Sequence, residues 1–470
     1  MKKLLLPLIF LIFTQGNINS QIKSKVDECF ELTSIVFRIA EAPEYSQGRI
    51  LKYNKDIDST FAPFLNHKLI QYAKDLRKQY GISYNAISSA ASCLEIKNGK
   101  VVLKQDIDIS KINEIDKRWT PQTFNTFLKY LNDFYKKSNF RDFYTKHSDL
   151  YAMATHSLDE RLATININWF ESIFGEKLGN PIVIASLTNG SSNYAFLIPD
   201  KTKQFGIVVG AGCNNKGEPT YSPSVIPIIL HEFLHKYTSS RIYDNWTSID
   251  SAAQKIYSHV KEYMHKIGYG SAQTTMIEWF NNLLVCVYFK EHPEIQKAIN
   301  TPAVHFIAEY QNRGFIWMDR SMLFAQHFLN NRDRYPIIDN FMPELVNFIN
   351  YTADHFDQVL NEFNNRHPYV VDAFPVSGSI LSSDLDSITI RFSEPMYPFM
   401  GFHYVSDKSI TLPTLPKNPK WKDEYTLIIY VGNLENSKTY GIAMPSYFFR
   451  SRKTYTMKNN FEYIFKTKQQ

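Results

Sequence analysis

The stretch Ile229-Leu230-His231-Glu232-Phe233-Leu234-His235-Lys236-Tyr237 decides how the chain is read. Two histidines four residues apart lie one above the other on a helix face. From there both imidazoles can reach one tetrahedral Zn²⁺. The carboxylate of Glu232, next to the first histidine, is then placed to take a proton from water activated at the metal. The flanks agree with a buried helix. Ser222 or Ser224 can cap it, Pro227 fits its first turn, and Ile228, Ile229, Leu230, Phe233 and Leu234 are apolar.

Two imidazoles hold zinc poorly, so a third ligand is needed. The metzincin pattern requires a glycine at 238 and a histidine at 241; Thr238 and Arg241 stand there and exclude it. Downstream, Met276-Ile277-Glu278-Trp279-Phe280-Asn281-Asn282-Leu283-Leu284 reads as a helix with a single acid. Trp279, Phe280, Leu283 and Leu284 leave little polar surface for a solvated charge, which favours Glu278 as the ligand. Asn282, one turn on, can hydrogen-bond a ligand imidazole. Asp250 is the rival acid, but its place before Ala252-Ala253-Gln254 suits a helix cap. A donor for a developing oxyanion would be one of Tyr237, Tyr243, His259, Tyr263 and His265, among which the sequence does not choose. His147, His156 and His305 read as structural or surface residues.

Upstream of this centre, Pro181–Leu187, Tyr194–Ile198 and Gly206–Val209 are β-rich runs separated by turn clusters at 189–193 and 199–203, which predicts a small sheet. Residues 26–180 read mostly helical. Asp58 or Ser59 is expected to cap a helix carrying Phe61, Phe64, Leu65, Leu69, Tyr72 and Leu76 and stopped by Gly81; Pro121 opens another, with Phe124, Phe127, Leu128, Leu131 and Phe134 on one face. Helical texture returns at about Ser224 and runs to about Asn364. Beyond His367-Pro368 short alternating segments, such as Ser387–Phe392, Tyr425–Ile429 and Phe461–Phe465, predict a β-sandwich.

Composition sets the outer bounds. The chain has 470 residues, 44% hydrophobic and 21% charged, and its 34 Phe and 29 Tyr can bury a large core. A net charge of +6 is too mild to point to nucleic acid. Lys2 and Lys3 ahead of the apolar run Leu4–Phe13 and the polar stretch Thr14–Ser20 read as a signal peptide, with no cysteine after it for a lipid anchor. No later stretch is apolar enough to span a bilayer. The expected location is therefore exported, periplasmic or extracellular. Of the four cysteines, Cys286 lies in an apolar run and reads as a buried thiol, while pairing among Cys29, Cys93 and Cys213 stays open.

Two resemblances extend this reading. Asp27-Glu28-Cys29-Phe30-Glu31-Leu32-Thr33-Ser34-Ile35-Val36-Phe37-Arg38-Ile39-Ala40, then Glu44-Tyr45, the HExxH stretch and the Glu278 helix resemble an exported, zincin-like family of Bacteroidota defined as a domain of unknown function. Phe374-Pro375-Val376-Ser377-Gly378 followed by Ile390-Arg391-Phe392-Ser393-Glu394-Pro395-Met396 resembles the opening of bacterial Ig-like domains, which implies a spacer or positioning module. The first resemblance implies a gluzincin-type metallopeptidase with His231, His235 and Glu278 as ligands and Glu232 as base. Ser192-Asn193-Tyr194-Ala195-Phe196 is similar to the zincin edge strand that pairs with an extended peptide, with Asn193, Tyr194 and Ala195 touching substrate.

The expected fold is α+β: a mostly helical zincin-like domain with a small sheet, followed by a β-sandwich. Its expected boundaries are a signal peptide at 1–20, a metallopeptidase domain at 21–366 with the sheet at about 181–211 and the active-site helices at 224–290, and an Ig-like domain at 367–470. The expected function is secreted, Zn²⁺-dependent hydrolysis of peptides or proteins. Two rivals stay open: a catalytically degenerate exported binding protein, contacting a glycan or cell surface through its last domain, and a zinc hydrolase of a non-peptide substrate.

Overall fold

The computed structural model describes residues 22–198, 204–299 and 303–469. The expected signal peptide and the turn cluster at 199–203 lie outside them. About half of the chain is helical and the rest holds small sheets, a mixed α+β architecture. Its contacts divide it into two compact units, Met1–Asn168 with Lys177–Phe233, and Trp169–Glu176 with Leu234–Gln470. No helix among the described residues is long and apolar enough to cross a membrane.

The first unit is built on helix α1, Glu28–Ile39, in which every residue but Arg38 is buried. Asp27 starts it, its Oδ1 accepting from the backbone N–H groups of Cys29 (3.0 Å) and Phe30 (3.4 Å). The Asp27–Ala40 motif is thus a central core helix. Glu28 accepts from the Tyr135 hydroxyl (2.8 Å) and pairs with Arg141. Glu44 accepts from the Tyr84 N–H (3.1 Å) and pairs with Arg77, while the Tyr45 hydroxyl donates to the Tyr84 carbonyl (3.0 Å). Those bonds hold the Tyr84 backbone at φ 52° and ψ −126°, which is costly for a residue with a Cβ.

The helix expected to start at Asp58 or Ser59 is not continuous. α2, Leu51–Phe61, contains both residues, and Pro63 lies in the tight turn that follows. A proline cannot supply the N–H that would carry the ladder on. α3, Lys68–Tyr80, begins anew with the His67 ring accepting from the Leu69 N–H, and ends at Gly81 with φ 65°. α4, Pro121–Lys137, starts at its proline, with Thr120 and Thr123 forming a capping box.

The sheet of this unit comprises β1 (Ser24–Lys25), β2 (Ile182–Ser186), β3 (Tyr194–Leu197) and β4 (Phe205–Gly210), in the order β1-β2-β4-β3. β1, β2 and β4 are parallel, and β3 runs antiparallel to β4 at the sheet's edge. Because side chains alternate, Phe196 meets Phe30 of α1 and covers Gly206 on one face. From β4, Phe205 reaches Phe233. At the turn into β3, Gly190 has φ 59°, and a Cβ there would run into the Gln47 backbone.

The second unit holds α5 (Ile226–Asp244, its first eight residues in the first unit), α6 (Trp246–Lys266) and α7 (Ala272–Glu291). α7 is buried almost all round, with Trp279 stacked on Phe348 and its indole N–H donating to Ser321 Oγ (3.0 Å). Past Val370 the chain is strand-rich: β5 (Val370–Phe374), β6 (Ser387–Phe392) and β7 (Thr426–Tyr430) lie in one sheet, β8 (Thr439–Met444) and β9 (Phe461–Thr467) in another. Ile388, Ile390 and Phe392 of the first share a core with Ile442, Met444, Tyr463 and Phe465 of the second. Cys29, Cys93 and Cys286 are buried and Cys213 is exposed.

Candidate metal centre

In the stretch of helix α5 that carries the motif, Ile229, Leu230, Phe233, Leu234 and Tyr237 are inaccessible to solvent. Polar side chains among these buried neighbours need partners. Ser222 does not cap it; its hydroxyl meets that of Ser224 (2.6 Å) ahead of a short turn at Pro223–Val225 that leads into the helix. His231 and His235 are half-buried and Glu232 is buried.

One donor atom from each of His231, His235 and Glu278 lies within 4.8 Å of the others, a group able to hold a metal ion. Nε2 of His235 is 3.7 Å from Oε1 of Glu278. Ligands about 2.1 Å from a tetrahedral ion stand roughly 3.4 Å apart, so small side-chain movements close the set around zinc. Glu278 is only 13% exposed at its side chain, on a helix wedged in place by Trp279. A carboxylate in such surroundings stays charged most easily beside a cation.

Asn281 meets the ring of His235. One end of its amide is 2.9 Å from Nδ1 of His235 and the other end meets the Thr238 hydroxyl, which also lies 3.0 Å from the Leu234 carbonyl. Asn281 and Thr238 are both inaccessible to solvent. Positions three and four residues after Glu278 share a helix face, and three is the spacing that brings the amide to His235.

Asp250 does not cap a helix. α6 starts at Trp246, so Asp250 sits inside it, exposed to its helix neighbour Gln254, whose side-chain amide donates to it (3.2 Å). Asn245 takes the place before the helix, and nothing in the composition of Ser248–Ser251 marks the earlier start.

The edge-strand residues are placed as follows. Asn193 Oδ1 accepts from the Gly210 N–H (3.0 Å) and its Nδ2 donates to the Ser191 carbonyl (3.0 Å), so its side chain ties β3 to β4. Tyr194 and Ala195 pair with Val208 and Ile207. The Tyr194 ring lies beside Tyr45, and its hydroxyl pKa is raised by burial, with the charges of Glu44 and Glu232 adding to the effect.

Of the candidate oxyanion donors, Tyr237 is stacked on Phe174 (4.2 Å), His259 on Phe356 (4.7 Å), and His265 Nε2 meets the Tyr257 hydroxyl (2.9 Å). Tyr243 and Tyr263 are exposed. His147 is buried between the Phe143 carbonyl and Asp56, His156 is exposed near Glu160, and His305 meets the Tyr397 hydroxyl.

A family model described as "Domain of unknown function (DUF4932)" matches residues 26–348, and the chain belongs to that family. No curated protein matches it. Among solved structures, it is similar to CopC from Methylosinus trichosporium OB3b, at 15% identity over 22% of this chain and 94% of that one, with a TM-score of 0.18. A second is PcoC, a methionine-rich copper resistance protein from Escherichia coli, at 21% identity over 22% and 99% of the two chains, with a TM-score of 0.17. The S-layer protein rSbsC(31-844) matches at 13% identity over 50% and 33%, with a TM-score of 0.18. Likenesses this slight carry no functional argument.

Proposed function

We propose that this member of the DUF4932 family is a secreted zinc-dependent metallopeptidase of gluzincin type, with His231, His235 and Glu278 as ligands and Glu232 as general base. One observation carries the reading: the three side chains, drawn from two helices and 47 positions of sequence, offer donor atoms within 4.8 Å of one another. Two imidazoles and a carboxylate are the donor set of a catalytic zinc site that keeps one position open. When bound, zinc supplies Lewis acidity to a scissile carbonyl and to water.

The chain's own residues supply the rest. Glu232 lies next to His231 on the same helix and is not among the three grouped donors, which leaves its carboxylate for the role of base in this reading. As general base it would take the water's proton and hand it on to the leaving amine. β3 lies at the edge of its sheet, the position at which an extended peptide would add in this reading. Tyr194 and Ala195 on that strand are the proposed substrate contacts, and the charge of Glu232 acting on Tyr194 supports their nearness to the base. The proposal extends to the domains: a zincin-like domain over 21–366 and an Ig-like module over 367–470 that positions it, the whole exported by the segment at 1–20.

Glu232→Gln tests the mechanism. The variant should keep its zinc and lose hydrolysis of a mixed peptide library by about 10²-fold or more, as expected for a missing general base. Loss of zinc together with activity would make Glu232 structural. Full turnover would remove it from the mechanism, and activity on esters but not peptides would move the substrate class.

A further inference from the structure

A cavity of about 890 Å³ opens in the first unit, formed by residues from 49–56, 146–153 and 213–218. That is the size of a small-molecule site. None of the described residues lining it belongs to the HExxH stretch or to β3. Leu51 is 70% exposed and Met153 42%, and with Leu150 they offer apolar surface to whatever enters. Around that surface stand Arg49, Lys52, Lys146 and Lys216, all exposed. Among the described residues, none of these four cationic groups has an ion-pair or hydrogen-bond partner. Three carboxylates share the lining. Asp56 Oδ2 is 3.0 Å from Nε2 of buried His147, and Glu218 accepts from the Asn214 side-chain amide (2.9 Å), so two of the three already meet protein groups. Asp149 is the third, and it is exposed. The His147 contact first, then the charges of Lys146 and Lys52, hold the Asp56 pKa below its ordinary value, which sets both lysines near one point of the wall. Like charges gathered without partners repel one another, and a bound anion relieves that. The first turns of α2 and of the helix Ser148–Leu162 also line the cavity, and neither helix has a side-chain cap. Their N–H ends add to the positive potential of the four cations.

We propose that this cavity binds a small amphiphilic organic anion, its apolar body against Leu51, Leu150 and Met153 and its anionic end among Arg49, Lys52, Lys146 and Lys216. Charge complementarity selects the head, and the exposed leucine and methionine select the tail. An inorganic anion would leave the apolar wall wet. A neutral apolar molecule would leave the four cations unpaired. The site is independent of the metal reading, since it shares no residue with His231, Glu232, His235 and Glu278. Cys213, the exposed cysteine, lines the same cavity and reports on whether it is filled.

The probe is octanoate, added to the full chain well below its micelle concentration. Alkylation of Cys213 by iodoacetamide, read by peptide mass spectrometry, should slow as octanoate is added. Octanoate should also raise the thermal unfolding midpoint, as a ligand of the folded state does. Octyltrimethylammonium, with the same tail, and acetate, with the same head, should do neither at equal concentration. Lys146→Glu/Lys216→Glu should weaken octanoate binding by about tenfold or more, while Lys146→Arg/Lys216→Arg keeps it. Leu51→Ser, at a position already open to solvent, should weaken it several-fold and leave the unliganded midpoint where it is. Absence of protection by octanoate, equal protection by octyltrimethylammonium, or undiminished binding in the Lys→Glu pair would overturn the proposal. Acetate binding as tightly as octanoate would overturn it too, because the cavity would then hold a simple anion without using its apolar wall.

Discussion

Glu31 in the first unit and Glu278 in the second are both carboxylates on apolar helices, and their neighbours differ in kind. Glu31, with no solvent exposure, accepts from the Tyr53 hydroxyl (2.7 Å) and the Leu187 N–H (3.3 Å), and Tyr53 in turn meets Tyr151 (2.9 Å). Those partners are neutral. Burial therefore pushes its pKa up from 4.5 to about 7, against the opposing pull of the hydrogen bonds. When protonated it can donate to Tyr53, which passes a proton to Tyr151, so the network is satisfied in either state. Glu278 stands instead beside imidazole nitrogens, groups with lone pairs of their own. Burial does not tell a structural acid from a functional one; the donors and acceptors around it do.

Removing each acid in turn should break the comparison in different currencies. Glu278→Ala should lower zinc affinity by more than about 100-fold, beyond the cost of an outer partner, as read by chelator competition. Unchanged affinity would hand the third position to another residue.

Glu31→Gln should leave zinc alone and change the pH profile of stability. A raised folded-state pKa means that the stability from protonated Glu31 is fully present below pH 4.5 and is lost as pH rises through about 7. The loss is about 3 kcal/mol at full ionisation. In urea titrations across pH 4.5 to 8, the wild type should lose that much relative to Glu31→Gln. Parallel profiles would show that Glu31 does not titrate in this window.

Asp250→Ala should do least. An exposed pair at i and i+4 contributes about 0.2–0.5 kcal/mol, and alanine's better helix propensity offsets part of it. Zinc should stay bound, and a large loss of either would make Asp250 more than a helix-surface residue.

The sequence made the candidate group of His231, His235 and Glu278 legible where chemistry dictates spacing. Four residues between imidazoles is a geometric demand that survives in one dimension, and Glu278 stood out because Trp279, Phe280 and Leu283 left its charge no other home. The contact of Asn281 with His235 was not legible, because what an amide three residues after Glu278 meets is set by packing. Asp27–Ala40 with Glu44-Tyr45 was recognisable as a motif but not as scaffold. Its roles, an N-cap, the Glu31 network and the grip on Tyr84, join residues up to 156 positions apart. The break at Pro63 was readable from the proline's missing N–H, and a continuous apolar stripe from Phe61 to Leu76 masked it. The small sheet was visible in its β-rich runs; that β3 closes one edge of it depends on a strand order that local pattern does not encode.

The central claim is that His231, His235 and Glu278 hold one zinc ion. Its most direct test is the metal content, by mass spectrometry, of the purified chain and of the His231→Ala/His235→Ala double variant after equilibration with zinc and gel filtration. The account predicts about one zinc per chain in the wild type and none retained in the variant. A wild type without zinc, or a variant with as much as the wild type, would contradict it.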